Sequence, residues 1–168
     1  TSSVIGGSGN DSIVLGGSAF KSFIDAGDDA DFITVGGSFT SATLSGGSGN
    51  DTISLNSVGG KATINAGAGD DSLTFGDWMA GYSGNATFDM SAGGNNTFVV
   101  GARAASSAGR VEYSGGPGRD TVTFGTRAAA DYGEIVIDMG SDTAADTVTF
   151  EGTVDPAGSK GVTTDNFA

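Results

Sequence analysis

Aspartates in glycine-rich turns are the residues of this 168-residue chain whose types and spacing could do chemistry. All but three of its 20 acidic residues are Asp, the exceptions being Glu112, Glu134 and Glu151. Solvated helix faces use Glu, whereas Asp is typical of tight turns and of cation sites built from oxygen ligands. The chemistry to consider first is therefore the binding of a hard cation.

Enzymatic chemistry finds little support in the composition. The chain contains no His and no Cys, which excludes a Ser-His-Asp triad, a thiol nucleophile and the usual ligands of zinc. The acid pairs Asp28/Asp29 and Asp70/Asp71 could resemble general acid–base pairs, but their place in a repeat accounts for them better. We therefore predict that the chain is not an enzyme.

Charge and hydropathy exclude further classes of partner. The net charge is −13, with 7 basic against 20 acidic residues, so the chain should avoid nucleic acid and anionic membrane surfaces. No apolar run approaches the roughly 18 residues that a transmembrane helix needs. We predict neither nucleic-acid binding nor a transmembrane segment.

The turns belong to an internal repeat. An Asp or Asn followed by alternating polar and apolar residues recurs every 20 to 26 residues, and the residues two and four positions after it are always apolar. These anchor residues are Asp11, Asp31, Asp51, Asp71, Asn96, Asp120 and Asp146. A further apolar residue precedes each anchor by seven or eight positions, at Val4, Ile24, Leu44, Ile64, Phe88, Tyr113 and Met139.

A repeat of this length with period-two alternation predicts stacked strands. Glycine, at 31 of 168 residues, disfavours helices. The predicted fold is all-β, a right-handed parallel β-solenoid of about seven coils over residues 1–150. Residues 1–75 form regular 20-residue coils, residues 76–150 form longer coils with extended loops, and residues 151–168 form a C-terminal tail or cap.

Glycine in the turns supplies positive φ and lets peptide carbonyls converge. Stacked turns would bring Asp carboxylates together, and these would repel without a counter-ion. Calcium takes about 6 to 8 oxygen ligands in flexible geometry and suits such a site better than magnesium does. The alternative is that the turns are ordinary Gly/Asn/Asp turns in which Asp is chosen for its local hydrogen bonds.

The turns and the strands that follow them resemble the nonapeptide G-G-x-G-x-D-x-U-x of the RTX calcium-binding β-roll proteins. The match is close over residues 6–14 and 46–54 and partial over 66–74 and 115–123. The resemblance implies Ca²⁺ bound between turns of adjacent coils. It implies the carboxylate ligands Asp11, Asp31, Asp51 and Asp71 and the carbonyl ligands Gly7, Gly9, Gly47, Gly49, Gly67 and Gly69. In the turn over residues 26–31, Asp28 and Asp29 depart from the motif, and the expectation is either that Asp29 adds a carboxylate ligand or that this turn is irregular.

The chain departs from that pattern because only one turn in each coil carries the motif. Two of the opposite turns contain a lysine, Lys21 or Lys61. We therefore expect ions along one edge of the solenoid and lysines along the other.

The resemblance predicts a calcium-binding structural module of a secreted or cell-surface bacterial protein, such as an S-layer, filament or adhesin subunit. Its uncapped ends would self-associate or continue into further repeats, and a surface polysaccharide is a further expected partner. The alternative is an accessory RTX domain for the secretion and folding of an enzyme or toxin. Weaker alternatives are a carbohydrate-binding module using Trp78, Met79 and Tyr82, and an ice-binding module using the outward Thr-x-Thr pairs.

Overall fold

The structure is a computed structural model that describes most of the chain. It leaves out residues 1, 82–83, 102, 105–108, 126, 129–133, 155–160 and 166–168. The described residues form strands and turns and no helix. In chain order the strands are β1 (Ser3–Ser8), β2 (Ser12–Leu15), β3 (Ala19–Phe20), β4 (Phe23–Asp28), β5 (Phe32–Thr40), β6 (Thr43–Ser48), β7 (Thr52–Gly59), β8 (Ala62–Ala68), β9 (Ser72–Gly81), β10 (Asn85–Asp89), β11 (Thr97–Val100), β12 (Arg103–Ala104), β13 (Arg110–Ser114), β14 (Thr121–Phe124), β15 (Arg127–Ala128), β16 (Glu134–Asp138), β17 (Thr147–Phe150), β18 (Thr153–Val154) and β19 (Gly161–Asp165).

Two parallel sheets run the length of the molecule. Sheet 1 has the order β1-β4-β6-β8-β10-β13-β16-β19, and sheet 2 has the order β17-β14-β11-β9-β7-β5-β2. Each winding contributes a strand to each of these sheets, and sheet 2 also includes the short strand β3, which pairs with β5. This confirms the predicted all-β parallel solenoid. The short strands β12, β15 and β18 add a third sheet along the later windings.

The register confirms the inward positions that the repeat predicts. In sheet 2, Ile13, Ile33 and Ile53 stand above one another, as do Val35 and Leu55. The column continues through Leu73, Phe98 and Val122, all fully buried. Sheet 1 supplies the facing column, which begins Val4, Ile24, Leu44, Ile64. Because each core residue touches its counterparts one winding away, the core exists only in the stack.

Aromatic side chains fill the later windings. Phe75, Phe88 and Phe98 meet at ring-centroid distances of 4.9 to 5.4 Å, and Tyr113 lies 5.0 Å from Phe98. The larger rings replace the aliphatic residues of the first windings at the same register positions. The longer repeat units of the second half therefore enclose bulkier side chains.

The last winding departs from the spacing of the others. Met139, seven residues before its anchor, is buried, but the residue that pairs with Tyr113 in sheet 1 is Ile137. The turn from β16 to β17 spans more residues than the other turns at this edge, so the inward column moves two residues upstream.

The C-terminal residues add to the solenoid. β19 pairs in parallel with β16, and β18 pairs with β15. Within the described part of the chain, no helix combines the length and the apolar character needed to cross a membrane.

Candidate metal site

The two kinds of turn lie at opposite edges of the sheets. In each winding a sheet 1 strand ends in the glycine- and aspartate-rich turn, as β4 does at Asp28 before β5 begins at Phe32. The chain then returns along sheet 2 to the other turn, where Lys21 separates β3 from β4. We call these the aspartate edge and the lysine edge. Their separation follows from the alternation of turn sequences along the chain.

The anchor residues form a continuous ladder along the aspartate edge. The Oδ1 atom of Asp31 accepts a hydrogen bond from the backbone N–H of Asp11 at 2.7 Å, and that of Asp51 accepts one from Asp31 at 2.8 Å. The same bond joins each later pair of anchors as far as Asp146, at 2.9 to 3.0 Å. One carboxylate oxygen of each anchor therefore fixes the stacking of two windings.

The second carboxylate oxygen is buried and unpartnered in the first four windings. No described residue donates a hydrogen bond to Oδ2 of Asp11, Asp31, Asp51 or Asp71. The side chains of Asp31, Asp51 and Asp71 are at most 2% exposed. Burial raises the pKa of Asp51 and of Asp71 to about 6, although the ladder hydrogen bond stabilises the ionised form and acts to lower the pKa. An ionised carboxylate there lacks the compensation that buried charges require.

Asn96 shows what surrounds that second position. Its Oδ1 atom takes part in the ladder as the aspartates do, but its Nδ2 atom donates to the carbonyl oxygens of Met90 at 3.3 Å and Gly94 at 3.4 Å. The site beside the anchor side chain is thus lined with acceptors. Where the anchor is Asp, an oxygen replaces the donor. At Asp120 the backbone N–H of Gly116 donates to Oδ2 at 3.2 Å, whereas Oδ2 of the first four anchors receives no hydrogen bond from the described residues and could be satisfied by a proton or a cation.

Main-chain carbonyls lie close to the buried carboxylates. A Cβ built on Gly46 would stand 2.4 Å from Oδ2 of Asp51 and 2.2 Å from the carbonyl oxygen of Ala66 in the next winding. A Cβ on Gly6 would meet Oδ2 of Asp11 at 2.5 Å and the carbonyl oxygen of Ala26 at 2.3 Å. The glycine leaves room for these two oxygens to be neighbours, with no donor between them.

The predicted carbonyl ligands occupy two glycine columns. Gly7, Gly47 and Gly67 are in register with one another through Gly27, all at positive φ. Gly9, Gly49 and Gly69 are also at positive φ. The carbonyl oxygen of Gly47 packs against Gly67, where a Cβ would approach it to 1.9 Å, and that of Gly49 packs against Gly69. These carbonyls lie between windings, and the structure also brings the Ala26 and Ala66 carbonyls to the carboxylates.

Asp29 lies apart from the buried column. It is exposed, holds a φ of 75°, and its Oδ2 atom accepts a hydrogen bond from the backbone N–H of Gly9 at 3.1 Å. It occupies a turn position that is glycine in its neighbours at Gly9 and Gly49. Asp29 thus lacks the conformational freedom of glycine at this position, but its side chain forms a hydrogen bond to the preceding winding.

A second ladder, which the sequence analysis did not identify, runs along the same edge. Oδ1 of Asn50 accepts from the backbone N–H of Asp70, Oδ1 of Asp70 accepts from Asn95, and Oδ1 of Asn95 accepts from Arg119, at 2.7 to 3.0 Å. These bonds run in the opposite direction to those of the anchors. The sequence feature that could have indicated this second ladder is the Asn or Asp that directly precedes many anchor residues.

The carboxylates are spread along the column rather than clustered. Among the described residues, no group of three or more acidic side chains is placed to hold a metal ion. A cation here would have one carboxylate oxygen, main-chain carbonyls and water as ligands, a donor set that fits a hard cation. Tyr82 lies outside the described residues, and of Trp78 and Met79 only the backbone is described.

No family model matches this chain, and comparison with curated proteins and with solved structures finds no match. The resemblance to RTX proteins therefore depends on the turn motifs alone.

Proposed function

We propose that this chain is a calcium-binding structural module of a secreted or cell-surface bacterial protein, of the S-layer, filament or adhesin kind. The observation that carries the proposal is the column of buried Oδ2 atoms that receive no hydrogen bond from the described residues, two of which, in Asp11 and Asp51, lie near main-chain carbonyl oxygens. Asn96 fills the equivalent position with an N–H donor, which supports the need for a positive group at the aspartates.

The donor atoms favour calcium over other metals. Oδ2 of Asp11 and Asp51, with the carbonyls of Ala26 and Ala66, would hold the ion through oxygen alone. Magnesium demands stricter octahedral geometry, and zinc prefers nitrogen and sulfur ligands. Bound calcium would neutralise the buried carboxylates and connect consecutive windings.

Calcium would couple folding to location. An ion that binds only the folded chain stabilises it by RT ln(1 + [L]/Kd) for each site. Extracellular modules usually bind calcium with a Kd of about 0.1 to 1 mM. The chain would be weakly folded at cytosolic calcium and would fold fully after export, which suits a secreted module.

The ends of the solenoid support assembly. β1 and β2 form the last strands of their sheets at one end, and β19 and β17 do so at the other. Outer strands with free N–H and C=O groups pair readily with another chain. We propose that these ends self-associate or continue into further repeats.

A calorimetric titration with calcium tests the function. Titration of wild-type protein with calcium should give a heat of binding, of either sign, that saturates. The melting temperature of the wild-type protein should fall when a chelator is added. The quadruple variant D11N/D31N/D51N/D71N should lose both responses, because each Asn reproduces the donor of Asn96. A wild-type protein whose melting temperature and circular dichroism are the same with calcium and with chelator contradicts the proposal.

A further inference from the structure

The two edges of the solenoid carry opposite charges in the first four windings. Lys21 and Lys61 are exposed on the lysine edge, and among the described residues neither forms an ion pair, since the ion pairs there join Arg110 to Glu112 and Glu134. Asp28 and Asp70 are exposed on the aspartate edge. In a chain of net charge −13, these two lysines form a local basic strip on one edge, and Nζ of Lys21 lies 5.2 Å from the centroid of the Phe20 ring.

The charged residues on both edges are two windings apart. Lys21 and Lys61 follow windings one and three at equivalent turn positions, with Ser41 between them at a similar positive φ, so they are roughly 10 Å apart at the usual strand spacing. Asp28 and Asp70 belong to windings two and four but to different turn positions, since Asp28 is in register with Ser48 and Ala68, whereas Asp70 donates its backbone N–H to Asn50.

The lysine edge has further properties of an interface. Lys21 and Lys61 hold φ values of 49° and 60°, a region that long side chains adopt at a cost in backbone energy. Phe20 and Phe23 flank Lys21 and are 59% and 42% exposed. Aromatic residues are enriched where proteins meet. The positive φ belongs to the turn itself, since Ser41 holds 52° at the equivalent position, but a solvated turn does not need two exposed aromatic rings.

From this charge complementarity we infer that copies of this chain associate side by side, the lysine edge of one against the aspartate edge of the next. Lys21 and Lys61 of one copy pair with Asp28 and Asp70 of its neighbour. Because the contact joins two different surfaces on opposite edges, neighbours related by translation alone produce an open row of parallel solenoids. This lateral contact is distinct from end-to-end stacking, and it does not depend on calcium in the buried column.

Sedimentation velocity over a range of concentrations at low salt tests the contact. Wild type should associate, and salt above about 0.5 M should weaken association because exposed charges are screened. The variant K21Q/K61Q should self-associate at least ~10-fold more weakly than wild type. T43E/T63E, on the exposed outer face of sheet 1, lowers the net charge by the same two units and should associate as wild type does.

Charge exchange between the edges identifies the partner. K21E/K61E alone and D28K/D70K alone should each remain monomeric, and an equimolar mixture should recover association, because each supplies the edge that the other lacks. The inference is overturned if wild type stays monomeric at about 1 mM and low salt. It is also overturned if the mixture fails to associate while both variants keep the wild-type circular dichroism spectrum, or if T43E/T63E weakens association as much as K21Q/K61Q. Calcium titration of K21Q/K61Q and K21E/K61E should match wild type, which separates this contact from the proposed metal sites.

Discussion

Replacing Asp51 by Asn should change stability in opposite directions with and without calcium. In the absence of a divalent ion, Oδ2 of the buried Asp51 carboxylate has no hydrogen-bond partner among the described residues, whereas an Asn there can donate to nearby carbonyls as Asn96 does. D51N should therefore stabilise the metal-free protein. In calcium the same substitution removes a ligand and should reduce the stabilisation that the ion provides.

The magnitude follows from the pKa. Burial raises the pKa of Asp51 from 3.8 to about 6. Holding this carboxyl ionised at pH 7 therefore costs on the order of 3 kcal/mol relative to the unfolded chain, at about 1.36 kcal/mol per pKa unit. The measured gain in the free energy of unfolding should be about 1 to 3 kcal/mol, since local relaxation and water reduce the full cost.

Urea unfolding followed by circular dichroism, at pH 7 with chelator and with calcium, measures both signs. D70N is the matched control, because Asp70 is the exposed neighbour and its Oδ1 atom, which accepts from Asn95, is kept in Asn. D70N should change stability little in either buffer. A metal-free D51N protein that is less stable than wild type by more than about 1 kcal/mol would refute the reasoning.

Three further predictions follow from the same column and core. Without divalent ions, the free energy of unfolding should be greatest near pH 4 and should fall as the pH rises through about 6. The reason is that Asp51, Asp71 and Asp120 have raised pKa values in the folded state, so ionising them opposes folding. Calcium should flatten this dependence in a series of unfolding measurements over pH. G47A should destabilise by several kcal/mol more than G7A in thermal unfolding, since both have φ near 120° but only at Gly47 would the Cβ meet a carbonyl oxygen, at 1.8 Å; equal losses would refute the stacking argument. Y113F should leave the melting temperature unchanged or raise it, because the Tyr113 hydroxyl is buried with no partner among the described residues, and a clear loss would show a bond that this account misses.

The repeat was sufficient to predict the fold. Every winding uses the same apolar alternation, so the inward residues, the parallel pairing and the two edges could be assigned from spacing alone. In the last winding, Met139 lies seven residues before the anchor and is buried, but Ile137 is the residue in register with Tyr113 because the last turn is longer. The third sheet could not be predicted, since its strands have two residues each.

The candidate site was predictable in its residues but not in its geometry. The aspartates were identified from their recurrence, yet nothing in the sequence says that one oxygen of each would bind the amide of the preceding anchor and leave the other buried. The partners of Asn50 and Asp70 also depend on how the windings stack. Such contacts depend on vertical neighbours 20 or more residues away, which local patterns do not reveal.

Diffraction from crystals grown in calcium, with data sensitive to its anomalous signal, tests the central claim most directly. We predict anomalous peaks beside the Oδ2 atoms of Asp11 and Asp51, within about 2.3 to 2.6 Å of those atoms and of main-chain carbonyl oxygens. Well-ordered turns without such peaks, with the same carboxylate oxygens bonded only to water or to a proton, would contradict it.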